Sequence, residues 1–494
     1  MLAKLPDELV AFGALALSSM ANQIVRFFTG ILNARLLTPT LYAINSLAGV
    51  IVRYVSYGHL GVQNGANRQI PIEVGRGAAE EADEYAGTAF WVVVGVSCLM
   101  VVLAVVMWFV PLVGVIPREY YADIALLGVA TLLYQYFCSW LVSTARTPLL
   151  ASMRARYDLP AVILTTVAVL FFRLHGLLLV QSLSMLIQTV VIVRKTGFRP
   201  KVFSARRAHV LFVVGWPILA SSLLIFVFMT IDLLFVTSRY STVEVGLYGF
   251  ALNAAFFYRT YAQSMADVLQ PKMGHAFGAG DENPRTLSRF ALDYTYGLTP
   301  IFAMIAAVFY MGIPVVIELF LPSYGGAIAP FRFLLLAELI LSLYIPSGHA
   351  MTLMRKQKQL IIWMIAGSAV AAAAFLLVLS PSAPLASVSL LWLIVSVLVS
   401  FGIICMATVY TAEHREIPYR KTARNLAMSL GVLAILAGFG GWAFSTSGLP
   451  ALIEAVARLI VIEIALLVLL VTVDPSNPIA SKLRGAFRSL RKAE

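Results

Sequence analysis

The sequence predicts an all-α membrane protein of about fourteen transmembrane helices: two pseudo-symmetric six-helix lobes followed by a C-terminal hairpin. Three observations lead there. Of the 494 residues, 60% are hydrophobic and only 12% charged, with a mean hydropathy of +0.87, whereas a soluble domain carries about 25% charged residues. The apolar residues recur in long uncharged runs, such as 90–115 and 385–409, the length needed to cross about 30 Å of hydrocarbon. Finally, the basic residues between the runs fall almost entirely on alternate connections.

The runs place helices near residues 11–34, 42–63, 87–111, 122–145, 157–172, 175–193, 209–237, 243–270, 291–321, 326–353, 360–379, 385–411, 426–446 and 450–473. The first run extends past Asn22, Gln23 and Arg26 with no small-residue cleavage site after a clean apolar core, so it reads as a retained helix. One set of connections carries Lys4, Arg68, Arg76, Arg146, Arg154, Arg156, the cluster Arg194 to Arg207, Lys272, Arg285, Arg289, Arg355 to Lys358, Arg415 to Arg424 and the tail from Lys482. The opposite set holds only Arg35, Arg118, Arg173 and Arg239. The positive-inside rule predicts such a split when every span is counted correctly, and it puts both termini in the cytoplasm. The net charge of +12 is thereby accounted for by helix orientation and by contact with anionic membrane lipid, not by nucleic acid.

The heaviest basic connection, 194–208, divides the chain into an N-terminal lobe (1–200), a C-terminal lobe (201–425), an appended helix pair (426–473) and a basic tail (474–494). An internal repeat supports this division. Tyr42 to Arg53 and Tyr248 to Arg259 both run from Tyr to Arg over the same spacing, and Gly75-Arg76-Gly77 is answered by Gly278-Ala279-Gly280. An even number of spans separates the copies, so the repeat is parallel, about an axis along the membrane normal. Substrate sites of such transporters lie between repeats.

The informative residues are those the bilayer should exclude. Arg26, Arg53, Arg259 and Arg332 fall inside predicted spans, and each centrally placed Arg costs roughly 2.5–3.5 kcal/mol to insert. A hydrated cavity lined by guanidinium groups, whose planar fork suits phosphate, is the arrangement they predict. Asp232, Asp267 and Glu338 are the acids at comparable depth, and gating or coupling is their expected role. The repeat offset sets Arg26 of the first span against Asp232 of the seventh, predicting an ion pair that depends on which way the protein is open. Arg35, Arg458 and Glu463, with His59 and His349, are weaker candidates of the same kind. Arg near a helix end can also snorkel, and an Arg–Asp pair can simply pin helices together.

Cys98, Cys138 and Cys405 all fall in apolar runs and read as buried small hydrophobes. The Gly-rich stretches follow helices, not strands, so they do not read as nucleotide loops. No zinc spacing, triad or loop carboxylate pair is present in the sequence. The expectation is a protein without catalytic residues, cofactor or metal.

Leu36-Leu37-Thr38-Pro39-Thr40-Leu41-Tyr42, then Tyr57-Gly58-His59-Leu60-Gly61-Val62 and Arg68, resemble the first two helices of bacterial polysaccharide transporters. Val243-Glu244-Val245-Gly246-Leu247-Tyr248, followed by Leu269-Gln270-Pro271-Lys272 and Gly278-Ala279-Gly280-Asp281, resemble the family's seventh and eighth. These are the O-antigen-type oligosaccharide flippases, within the superfamily that also holds multidrug exporters and lipid II flippases. The resemblance implies a two-lobed fold with a central cationic cavity that alternates between the two sides. It also implies a polyprenyl-pyrophosphate-linked oligosaccharide as substrate and polysaccharide polymerase machinery as a possible partner. In the related lipid II flippases, arginines on the first, second and eighth helices matter, and Arg26, Arg53 and Arg259 occupy those helices here.

Three other functions remain open from sequence. A cation-coupled exporter of small molecules would handle cationic substrates, which arginines repel. Lipid II flipping fits the same charges. A glycan polymerase or ligase needs a large outer loop with reactive groups, and the outer connections are short.

Overall fold

The computed structural model describes residues 25–26, 28–109, 116–144, 146–279, 284–354, 356–380, 383–411, 449–473 and scattered positions between 427 and 438, without most side chains of 264–300. Most of the thirteenth span, most of the first and the basic tail therefore lie outside the described residues. Every regular element among the described residues is helical. Eight of these helices are long and apolar enough to cross a membrane, and the chain is a multi-pass membrane protein. It divides into two compact units, Met1–Val227 and Phe228–Glu494.

The first unit opens with a helical segment at 28–36, then α1 (Pro39–Ser56), α2 (Val62–Gly75), α3 (Ala79–Phe109), α4 (Tyr121–Ser143), α5 (Thr147–Thr196) and the first part of α6 (Ala205–Arg239). The Thr38-Pro39 pair starts α1: the Thr38 hydroxyl accepts from the Leu41 amide, and Pro39 sits where no amide hydrogen is needed. The second predicted span is not one helix. It breaks at a 3-10 turn, Tyr57–His59, followed by Leu60 (φ 48°) and Gly61 (φ 89°), and continues as α2. A Cβ at Gly61 would stand 2.6 Å from the Gly215 backbone of α6, and one at Gly65 only 2.1 Å from the Leu211 carbonyl. The break thus lets α2 and α6 cross backbone to backbone, which only glycine permits.

α5 is 50 residues long, about 75 Å if straight at 1.5 Å per residue. It folds back at Arg173 (φ 48°, ψ −127°) into two arms, 147–172 and 174–196, close to the predicted fifth and sixth spans. Gly176 allows the close return, since a Cβ there would meet the Ala168 carbonyl at 2.4 Å. Asp123 of α4 fixes the fold-back by a 2.5 Å bond to His175, whose ring stacks on Tyr120. The unit's core is aromatic: Phe90, Tyr136, Phe137, Trp140 and Phe198 meet in tilted and edge-to-face pairs at 4.9–6.3 Å. Phe198 belongs to the connection before α6. The basic segment at 194–208 is therefore a strap pinned to the first unit rather than a loose linker.

The second unit comprises the rest of α6, α7 (Thr242–Ala279), α8 (Pro284–Phe320), α9 (Ile328–Leu343), α10 (Ile345–Leu353), α11 (Gln357–Val378), α12 (Leu385–Thr411) and α13 (Leu449–Val473). Ser241 and Glu244 form a capping box at the start of α7: the Ser241 amide donates to the Glu244 carboxylate at 2.9 Å, and the Glu244 amide donates back to the Ser241 hydroxyl. α9 runs through the centre, buried from Leu334 to Leu343, with α7, α8 and α12 packed around it. The predicted tenth span is divided at Tyr344 into α9 and α10. Cys98 and Cys405 are exposed and Cys138 half-buried, correcting their reading as core residues. An apolar run faces lipid as readily as it faces a core, so hydropathy does not choose between the two.

Candidate functional site

In the first unit, Arg26 enters a chamber of about 540 Å³ bounded by the 28–36 segment, α1, α4 and both arms of α5. Ligand pockets commonly measure about 300–1,000 Å³. Arg154 and Asp158 share its wall, and Asn33, Asn45 and Gln181 add amides. Arg154 and Asp158 stand four residues apart on α5 and so present to the same side of the helix. Asp158 is positioned by a relay: the Tyr134 hydroxyl donates to Gln188 Oε1 at 3.1 Å, and Gln188 Nε2 donates to Asp158 Oδ1 at 3.3 Å. Gln188 and Asp158 lie on opposite arms of α5, so the fold-back at Arg173 assembles this wall. Two guanidinium groups against one carboxylate leave the chamber with positive charge to spare.

Arg53 does not line this chamber. It occupies the last turn of α1, where a cation suits the helix dipole, and its guanidinium lies over the Phe226 ring at 5.4 Å.

The second unit holds a buried charged cluster. Arg259 of α7 donates to Glu338 Oε2 of α9 at 3.5 Å, where the Glu338 side chain is 2% exposed. Asp232 of α6 has no exposed surface and accepts from the Tyr248 hydroxyl at 2.7 Å. It also lies within electrostatic reach of Glu338. The structure thus brings Arg259, Glu338 and Asp232 together. Arg332 stands elsewhere, over Tyr310 of α8 at 5.5 Å, with Arg458 and Glu318 as charged neighbours. The side chain of Asp267 lies outside the described residues. His59 is buried at the break after α1, where its Nδ1 accepts from the Gly61 amide.

The repeat set Arg26 against Asp232. Each finds partners inside its own unit: Arg26 faces the field of Asp158, and Asp232 holds Tyr248. Tyr42 and Tyr248, which open the two copies, are both buried. The copies diverge beyond their arginines. α1 ends three residues after Arg53, whereas α7 runs twenty residues beyond Arg259.

Sequence reasoning missed Arg154 and Asp158. It began the fifth span at 157 and assigned Arg154 to a basic connection, but α5 starts at Thr147. The signal was an Arg and an Asp four residues apart, leading directly into the apolar run. The helix runs on through Pro160.

Residues 11–277, more than half of the chain, match the polysaccharide biosynthesis protein family. The chain belongs to that family. No curated protein matches the sequence. Among solved structures, the lipid II flippase MurJ in an inward closed conformation aligns with a TM-score of 0.61 at 13% identity, over 92% of this chain and 97% of that one. An inward-facing multidrug resistance MATE family transporter of the MOP superfamily gives 0.60 at 14%, over 79% and 94%. A MOP superfamily transporter from Pyrococcus furiosus, described as having a binding pocket of reverse polarity, gives 0.53 at 17%, over 81% and 95%. At these identities the likeness is one of fold, and this member of the polysaccharide biosynthesis family has the MOP transporter fold.

Proposed function

We propose that the protein is a flippase that moves a polyprenyl-pyrophosphate-linked oligosaccharide from the cytoplasmic to the outer leaflet of a bacterial inner membrane, for surface polysaccharide synthesis. The observation that carries this reading is the first-unit chamber, where Arg26 and Arg154 outnumber Asp158 among amide and hydroxyl side chains. Paired guanidiniums give a pyrophosphate charge-assisted hydrogen bonds, and amides and hydroxyls suit sugar hydroxyls. Family membership supports the polysaccharide class, and MurJ, a lipid II flippase, shares the fold.

The second-unit cluster supplies coupling in this reading. Asp232 and Glu338 together carry one more charge than Arg259 balances, so a proton or a monovalent cation completes the set. Neutralising Glu338 releases Arg259 from its partner and makes it available to an anion. Cyclic uptake and loss of that charge then drives alternating access.

Arg26→Gln and Arg154→Gln should each cut export of surface glycan by 10-fold or more, since a hydrogen bond to a charged group contributes about 1.5–3 kcal/mol. Protein abundance should stay unchanged. Full complementation by both variants in a deletion strain would remove the anion chamber from the mechanism. A cation exporter predicts the reverse pattern: unchanged glycan and altered drug susceptibility.

A further inference from the structure

A second hollow in the first unit has a different chemistry from the chamber. It measures about 500 Å³ and lies between the middle of α3 and the start of α6, with the break after α1 as its floor. Val92, Val96 and Leu99 form one wall, Phe212 the other and Leu60 the floor, with His209 on α6 as a polar group. Gly95 leaves it open: a Cβ there would have no neighbour within 4 Å. Leu60, Leu99 and Phe212 are all exposed, so the hollow opens sideways onto the lipid-facing surface of α3.

The strap crosses α3 one turn beyond this crevice. The Trp91 indole donates to the Lys201 carbonyl at 3.0 Å, Lys201 pairs with Glu80, and Arg207 pairs with Glu84. These contacts engage two of the four acids at the start of α3, leaving Glu81 and Asp83 exposed. Against them stand Arg194, Lys195, Arg199 and Arg206, all exposed and without an ion pair among the described residues. Arg206 precedes His209 by three residues, on the same helical face. Between the charges, Val202 is 87% and Phe203 48% exposed. Apolar side chains displayed among cations at the end of a lipid-facing crevice match a bilayer interface.

We propose that this crevice and strap form a binding site for one anionic phospholipid of the surrounding bilayer. Arg206 and Arg199 hold the headgroup phosphate, and one acyl chain lies along Val92 to Leu99 against Phe212. Those eight residues, seven steps of 1.5 Å, span about 10 Å of helix. The chain end reaches Leu60, beside the left-handed break and the Gly61–Gly215 crossing. An occupied crevice therefore braces the point at which the second span is broken. This inference rests on the membrane setting alone and stands independently of the transported substrate.

The test uses the full-length protein in nanodiscs of phosphatidylcholine with increasing phosphatidylglycerol, read by native mass spectrometry and by the unfolding temperature. One phosphatidylglycerol should be retained with at least 10-fold preference over phosphatidylcholine. Gly95→Leu projects a side chain into the crevice from a position where a Cβ meets nothing within 4 Å and should lose that copy, while its unfolding temperature in pure phosphatidylcholine stays at the wild-type value. Arg206→Gln combined with Arg199→Gln should keep a bound lipid but lose the preference for negative charge. A phosphatidylglycerol with a brominated chain should quench Trp216, which stacks on Phe212 at 5.8 Å, in the wild type and not in Gly95→Leu. Equal retention by wild type and Gly95→Leu, or no preference between the two lipids, would overturn the proposal.

Discussion

Replacing Glu338 by Gln removes one charge from the buried cluster while keeping the side-chain volume. The Arg259 and Glu338 groups are 3.5 Å apart, and at an effective dielectric constant of about 20 their attraction is about 5 kcal/mol. Loss of one partner of a buried pair costs about 3–5 kcal/mol, because the other charge is left uncompensated. Two features reduce this. The Arg259 side chain retains 21% exposure, and a glutamine amide still accepts a hydrogen bond, so about 2–3 kcal/mol is expected. At about 2 °C per kcal/mol for a unit of this size, the unfolding temperature of detergent-purified protein should fall by about 5 °C. The double variant Arg259→Met with Glu338→Leu replaces the pair by apolar groups and should recover most of that loss. It should nevertheless export no glycan, having lost the switchable charge. Additive destabilisation in the double variant, or full transport by it, would refute the assignment of this pair as a coupled unit.

Gly215→Ala would place a Cβ 1.8 Å from the Gly61 carbonyl; the backbone there cannot yield, so the variant should lose well over the usual ~1–3 kcal/mol of overpacking and accumulate poorly in membranes. Gln188→Leu breaks the Tyr134–Gln188–Asp158 relay and removes the amide that positions Asp158; glycan export should fall several-fold, measured against protein level by immunoblot. Glu244→Ala removes half of the capping box on α7 and should cost about 1 kcal/mol, visible as a small drop in unfolding temperature with export unchanged.

Much of the architecture was legible in the sequence because a bilayer imposes a coarse, local rule. A span must be apolar over its full length, so long uncharged runs mark where the helices lie. The twelfth span, expected at 385–411, is the helix Leu385–Thr411, and the fold-back at Arg173 falls between the fifth and sixth spans as expected. Hydropathy fails where helices end or bend without a change of polarity. It read the second and tenth spans as continuous, although Leu60 and Gly61 break one and Tyr344 divides the other. It also started α5 ten residues late, which hid Arg154 and Asp158.

The sequence by itself determined that Arg26, Arg259, Asp232 and Glu338 are expensive residues that need partners, because insertion cost depends only on residue type and depth. Which partners they take was decided by tertiary structure alone. The first arm of α5 carries Asp158 into the chamber that Arg26 enters, the fold-back brings Gln188 to hold it there, and the central course of α9 carries Glu338 to Arg259. A charge pair depends on distance between residues far apart in the chain, and neither periodicity nor repeat spacing encodes that distance.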